Sequence, residues 1–284
     1  MRARRRMGTM AEIKLIALDL DGTLLTGNKR LSPRNRAALE AAAAAGIEIV
    51  PSTGRFYRGI PEAVRALPFV RNAITINGAH VVNLRSGETI YSAEIPRDDA
   101  ASLLEYLDTL PVIYDCYVDG WGYITGAMQD RAEEYIDYAP SLQMVRELRS
   151  PVPELKAFLR AQDRGVQKLQ LFTRDRPFRD GLLGALAERW PDMVFTVSLP
   201  NNIEINCAAA DKGKALLALA EYLGIREEQT MAFGDGTNDL AMIRAAGCGV
   251  AMENAAPEVK AAAERVTGSC DDDGVAQVIE ELLR

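Results

Sequence analysis

Short apolar runs that end in glycine, hydroxyl and acidic residues recur near both ends of the chain, and a different pattern fills its middle. Ile13 to Leu18, Ile47 to Val50, Ala73 to Ile76, Thr230 to Phe233 and Cys248 to Met252 are apolar almost throughout, as in parallel strands covered on both faces. Between them lie helical stretches with recognisable punctuation. Ser32-Pro33 supplies an N-cap and first-turn proline for an alanine-rich helix that Gly46 ends. Further helices are predicted over Arg55 to Leu67, Lys212 to Leu223 (stopped by Gly224), Gly236 to Gly247, from Pro257, and over Val275 to Leu283. Asn77-Gly78 reads as a turn closing the third strand, with His80 in the loop beyond it.

In the middle, Val112 to Thr125 is rich in Tyr, Val, Trp and Ile, and Val166 to Thr173 alternates. Met193 to Ile205 looks like a hairpin around Pro200-Asn201-Asn202. These are signs of an antiparallel sheet with helices on one face. The expectation is an α/β protein: a Rossmann-like parallel-sheet core formed by residues 1–82 and 207–284, and an inserted α+β domain over 83–206.

Composition narrows the classes. At 284 residues, 48% hydrophobic and 26% charged, the chain has the make-up of a soluble globular protein with room for two domains. A net charge of −7 argues against a nucleic-acid partner. The basic start Met1 to Arg6 imitates the head of a signal peptide, but Glu12, Lys14 and Asp19 interrupt the apolar stretch behind it. It reads as a frayed tail, with Met7 or Met10 as alternative starts. No run approaches the roughly 18 apolar residues that a membrane helix requires. Cys116, Cys207, Cys248 and Cys270 are scattered, without a C-x-x-C pair, and are expected reduced in the cytoplasm. His80 is the sole histidine, which excludes sites that need several.

The candidate chemistry sits at the strand ends. Asp19 and Asp21 follow the first strand and lean to the same side, an unfavourable pairing unless a cation or a reaction uses it. Ser52-Thr53-Gly54-Arg55 follows the second, and Gly234-Asp235-Gly236-Thr237-Asn238-Asp239 follows a later one. Lys212 opens a helix. In open α/β sheets ligands bind beyond the carboxyl ends of the strands, so these groups converge if the strands are neighbours. Singly, each has a plain explanation: a solvated turn, a capped turn, a surface lysine. A calcium loop is rejected, because Leu24 and Arg30 stand where glycine and glutamate belong. A dinucleotide fingerprint is rejected too, since Asp239 replaces its third glycine and Asp235 would repel a pyrophosphate.

Taken together and in this order, the aspartate pair, the hydroxyl, the lysine and the acidic glycine-rich loop resemble the four motifs of the haloacid dehalogenase superfamily, over essentially the whole chain. Thr53-Gly54-Arg55, Lys212-Gly213, Gly234 to Asp239 and the tail Val250-Ala251-Met252-Glu253-Asn254-Ala255 resemble its Cof-type phosphatase branch, although Glu253 replaces a glycine common in that tail. The insertion then corresponds to the branch's large α/β cap. The resemblance implies a Mg²⁺-dependent phosphatase for a small phosphorylated metabolite, foremost a sugar phosphate. Asp19 would be the nucleophile, forming an aspartyl-phosphate, and Asp21 the acid-base. Thr53, Gly54, Arg55, Lys212 and Asn238 would bind the phosphate. Asp19, the Asp21 carbonyl and Asp235 would ligate Mg²⁺, with Asp239 orienting that shell. The rivals are a phosphomutase or phosphotransferase of the same fold, a phospho-acceptor signalling domain, and a metal-dependent binding module. Asp115, Tyr117, Asp119, Trp121, Lys168 and Asn202 are cap residues able to touch a sugar, though each is more readily explained by surface or packing.

Overall fold

The protein, seen in a computed structural model, is described over residues 12–284, so the basic stretch Met1 to Arg6 and the alternative starts Met7 and Met10 lie outside the described residues. A five-stranded parallel sheet contains β1 (Leu15–Leu18), β2 (Glu48–Pro51), β12 (Thr230–Gly234), β13 (Cys248–Ala251) and β14 (Arg265–Val266). Its order is β14-β13-β12-β1-β2. β1 to β13 are buried along their whole length in this sheet, as continuous apolar runs demand, because helices cover both faces. The chain leaves β1 in one direction to reach β2 and returns on the other side as β12. The crevice between β1 and β12 is therefore the topological switch point.

A second, antiparallel sheet joins β3 (Asn72–Thr75), β4 (His80–Asn83) and β5 (Thr89–Ser92), with β3 tied to the segment after β2 through a parallel Ser52–Ile74 bridge. Two expectations fail here. His80 is not a loop residue but the buried first residue of β4; its pairing partner β5 carries too little apolar character to announce a strand. The long helix over Arg55 to Leu67 is replaced by a 3₁₀ turn at Tyr57–Gly59 and one helical turn at Glu62–Arg65, because Pro61 cannot continue a helix that enters it from Ile60.

A six-stranded sheet comprises β6 (Val112–Val118), β7 (Trp121–Thr125), β8 (Arg149–Val152), β9 (Lys168–Thr173), β10 (Met193–Thr196) and β11 (Asn202–Cys207), in the order β10-β11-β9-β6-β7-β8. It is antiparallel except for β7 and β8. Its apolar face packs under the helices Arg97–Leu107, Leu155–Arg160 and Arg176–Arg189, around Leu103, Leu159, Leu182 and Ile205. Its other face is apolar at one end, where Ile113, Ile124 and Phe172 pack with Tyr135 and Val145, and polar around Asp115, Lys168, Gln170 and Glu204, the part that lies over the carboxyl edge of the parallel sheet.

Candidate active site

Each reactive residue is delivered by the end of an element. The Asp19 amide donates to the Phe233 carbonyl of β12 at 3.0 Å, which fixes the first residue after β1 beside the end of β12. Gly22 then turns the chain with φ of +92°, and a Cβ there would lie 2.4 Å from Asp235 Oδ2. Thr23 completes the approach by donating from Oγ1 to Asp235 Oδ1 at 2.8 Å. Thr53 is held by its amide bond to Ile74 O at 2.9 Å. The helix Lys212–Tyr222 starts where Asp211 caps it, Oδ1 accepting from the Gly213 and Lys214 amides. Gly78, at φ +88°, lets another turn touch this start, since a Cβ would lie 2.6 Å from Lys212 N.

Lys212 is the centre of the arrangement. Its fully buried ammonium donates to Asp19 Oδ1 at 2.7 Å and Asp239 Oδ1 at 2.6 Å. Asp239 also accepts from the Asp235 and Gly236 amides at 3.0 Å each, so it shapes the loop that carries Asp235. Asp19, Asp235 and Asp239 each place a carboxylate oxygen within 4.8 Å of the others. Burial raises the Asp19 carboxyl to about 7 against the pull of Lys212, with Asp239 and Asp235 adding to the rise. Burial also raises Asp235, against its bond from Thr23. Lys212 is raised: burial would lower it, and the two aspartates more than reverse that.

Three carboxylates facing one ammonium leave two excess negative charges, and all the donors are hard oxygens. That set fits a small divalent cation of the magnesium type.

Asp21 stands apart from this cluster. Arg55 grips it with two parallel bonds of 2.7 and 2.9 Å, and Lys29 adds a contact of 2.9 Å. Burial would raise its carboxyl, but Arg55 and then Lys29 hold it below its ordinary value. Asn238 is exposed and donates to Asn77 Oδ1 at 3.2 Å. Asn254, quoted above only as part of a tail, donates to Gly22 O at 2.7 Å and accepts from the Cys270 amide at 2.9 Å. It braces the bend between Asp21 and Thr23.

Asp19, Asp21, Thr53, Arg55, Lys212 and Asp235 floor a cleft of about 770 Å³ whose roof is the polar part of the six-stranded sheet. Of the six cap candidates, Tyr117 and Lys168 line it. Asp115 is instead buried against Arg149 at 2.8 Å, and Asn202 caps its own turn at Ser198 and Leu199. Asp119 is exposed and pairs with Arg164, while Trp121 is exposed beneath the guanidinium of Arg58. Sequence reasoning missed Arg149, Gln170 and Glu204, which also line the roof; the alternation of β9 was the local signal for Gln170 and that of β11 for Glu204, while Arg149 had none.

A cleft at the switch point of a parallel sheet, floored by an acidic cluster and a buried lysine and roofed by an inserted sheet, defines a capped α/β enzyme of Rossmann-like architecture. The chain belongs to the haloacid dehalogenase-like hydrolases, whose family model matches residues 16–279. It is 32% identical to phosphatase YwpJ of Bacillus subtilis over 95% of this chain and 100% of that protein. It is 33% identical to pyridoxal phosphate phosphatase YbhA of Escherichia coli, over 95% of this chain and 98% of that one. A crystal structure of a haloacid dehalogenase-like hydrolase from Bacteroides thetaiotaomicron matches with a TM-score of 0.81 at 30% identity, covering 95% of this chain and 100% of that one. The protein is thus an enzyme of the Cof-type phosphatase branch, a phosphoric monoester hydrolase of a family that uses a divalent metal. Among the described residues, no helix is long and apolar enough to cross a membrane.

Proposed function

We propose that the protein is a Mg²⁺-dependent phosphatase that hydrolyses a small phosphomonoester, foremost a sugar phosphate, through an aspartyl-phosphate on Asp19. The observation that carries this reading is the Lys212 ammonium bridging Asp19 and Asp239 at the switch-point crevice. The donors that would hold Mg²⁺ are Asp19, the Asp21 carbonyl and Asp235, with Asp239 positioning the loop. When bound, the cation would offset charge on the phosphoryl oxygens and on the carboxylates around them.

Asp19 attacks phosphorus and the ester oxygen departs in line, splitting hydrolysis into two covalent steps. Lys212 lies against the nucleophile and offsets charge on the equatorial oxygens, to which Thr53 donates from its hydroxyl. Asp21 gives a proton to the departing oxygen and later takes one from water, a role worth roughly 10² to 10⁴ in rate. For the first of these it must leave Arg55, and an arriving phosphate is an anion able to compete for that guanidinium. Residues 83–206, which hold β6 to β10 and most of β11, are the substrate-selecting cap in this reading. The four free cysteines suit a reducing, cytoplasmic setting.

The test is release of inorganic phosphate from a panel of phosphometabolites. Asp19→Asn should abolish release with the fold intact, and EDTA dialysis should stop the native enzyme. Full turnover by Asp19→Asn would end the nucleophile assignment. Isomerised ester in place of free phosphate would make the protein a mutase.

A further inference from the structure

The roof of the cleft is an anomaly. Along β6, β9 and β11, side chains alternate between faces, and the pairs Tyr117–Lys168, Asp115–Gln170 and Gln170–Glu204 stand opposite one another on the same side. The reverse side, with Cys116, Leu169, Leu171 and Ile205, is the cap's apolar core. The polar side is nevertheless buried: Asp115 is 1% exposed, Lys168 3% and Glu204 9%. Polar and charged groups are costly to bury unless partnered.

The partners are instructive. Asp115 neutralises Arg149 at 2.8 Å and Glu204 neutralises Lys168 at 2.9 Å. The roof is therefore electrically balanced, unlike the floor. A second phosphate or a carboxylate on the leaving group would call for a cation free of carboxylates, and Arg149 and Lys168 each already have one, although Arg149 Nη1 keeps no hydrogen-bond partner. What the roof offers is adjacent donors and acceptors, the complement of hydroxyl groups, each of which both donates and accepts.

Asn77 joins roof to floor. Ile76 and Asn77 both adopt φ of 55°, a left-handed conformation that an isoleucine takes only when its surroundings impose it. Here the Ile76 amide is tied to Arg55 O at 2.9 Å and the Asn77 amide to Thr53 O at 3.1 Å. The constrained turn holds the Asn77 carboxamide against the phosphate loop, where a Cβ on Gly54 would lie 2.7 Å from Asn77 Oδ1. Its Nδ2 donates to Glu204 Oε2 at 3.4 Å, and its Oδ1 accepts from Asn238. A polar chain thus runs from Lys168 through Glu204 and Asn77 to the floor.

We propose that Asn77, Glu204 and Lys168 form the specificity-determining element of this enzyme, and that they read hydroxyl groups on an uncharged, polyhydroxylated leaving group. The hydroxyl nearest the phosphoester falls to Asn77, and more distant ones fall to Glu204 and Lys168. The inference rests on the phosphatase reading above. It adds that polyol monophosphates are preferred over bisphosphates and over esters without hydroxyls.

The experiment compares kcat/KM for sorbitol 6-phosphate, glucose 6-phosphate, fructose 1,6-bisphosphate and p-nitrophenyl phosphate, with Mg²⁺ present. The native protein should favour a polyol monophosphate. Asn77→Ala and Glu204→Gln should each lower the ratio of kcat/KM for that ester to kcat/KM for p-nitrophenyl phosphate at least tenfold, mainly through KM. A partly unfolded variant loses active enzyme for both esters equally, so the ratio isolates recognition. Ratios unmoved in both variants, or a native preference for the bisphosphate or for p-nitrophenyl phosphate, overturn this inference and leave the phosphatase reading standing. Hydrolysis of none of the four esters overturns both.

Discussion

Replacing Lys212 with methionine keeps the length and most of the volume of a fully buried side chain while deleting its charge. Removing one partner from a buried ion pair costs about 3–5 kcal/mol, because the remaining charge is uncompensated. Asp239 would retain its two backbone amides at 3.0 Å, which places the loss near the lower end, at about 3 kcal/mol. Asp19 keeps no such support in its side chain and loses the strongest influence opposing the rise in its proton affinity, which weakens it as a nucleophile. Losing a donor aimed at transition-state charge costs about 10²–10³ in rate. Urea unfolding in EDTA reads the stability, and phosphate release with Mg²⁺ reads the rate. A variant within tenfold of native activity, or destabilised by less than about 1 kcal/mol, would refute the reasoning from the buried bridge.

Three further outcomes follow from the geometry. Mg²⁺ at 100 times its dissociation constant should raise unfolding stability by about 2.7 kcal/mol, and Asp235→Asn should lose most of that increment; an equal increment in the variant would remove Asp235 from the metal site. Burial lowers His80 to about 4 from its ordinary 6.5, so the unfolded chain binds the extra proton between those values and stability falls as pH drops through that window. From pH 7 to pH 5 this group should cost about 2 kcal/mol; urea titrations of His80→Asn should lack that part of the slope, and parallel slopes would contradict it. Asp115→Ala strands the Arg149 guanidinium, whose side chain is 2% exposed, and should cost about 3–5 kcal/mol, while the double replacement with Arg149→Met should recover much of it. Thermal unfolding that shows the double variant no more stable than the single one would argue against a charge effect.

Most of the floor of the site was legible because Asp19, Thr53 and Asp235 each follow a short apolar run, so strand and chemistry announce each other locally, while Lys212 showed only as the start of a helix. Asp19, Asp235 and Thr53 needed only the assumption that their strands are neighbours, and β12-β1-β2 are. Asn254 had no such signal, since its partner Gly22 O lies 232 positions away. The roof was half legible. Lys168-Leu169-Gln170-Leu171 alternates, but a polar strand face defaults to solvent, and only the tertiary arrangement turns it inward. The segment after Thr53 was misread because its helix-like pattern extends through Pro61, whose ring overrides it.

One short loop serves two masters. Thr53 and Arg55 line the cleft at the proposed phosphate site, while Phe56 meets the ring of Tyr117 edge-on at 5.6 Å and supports Arg149, and Arg58 covers Trp121. A chimera built by transplanting a relative's cap onto this core would leave Phe56 and Arg58 facing foreign contours, and any adjustment they made would be felt a few residues away by Thr53 and Arg55, the proposed phosphate-binding groups. The exchangeable module must therefore include residues 53–60 along with the inserted sheet, and lineages that trade substrates should alter both together.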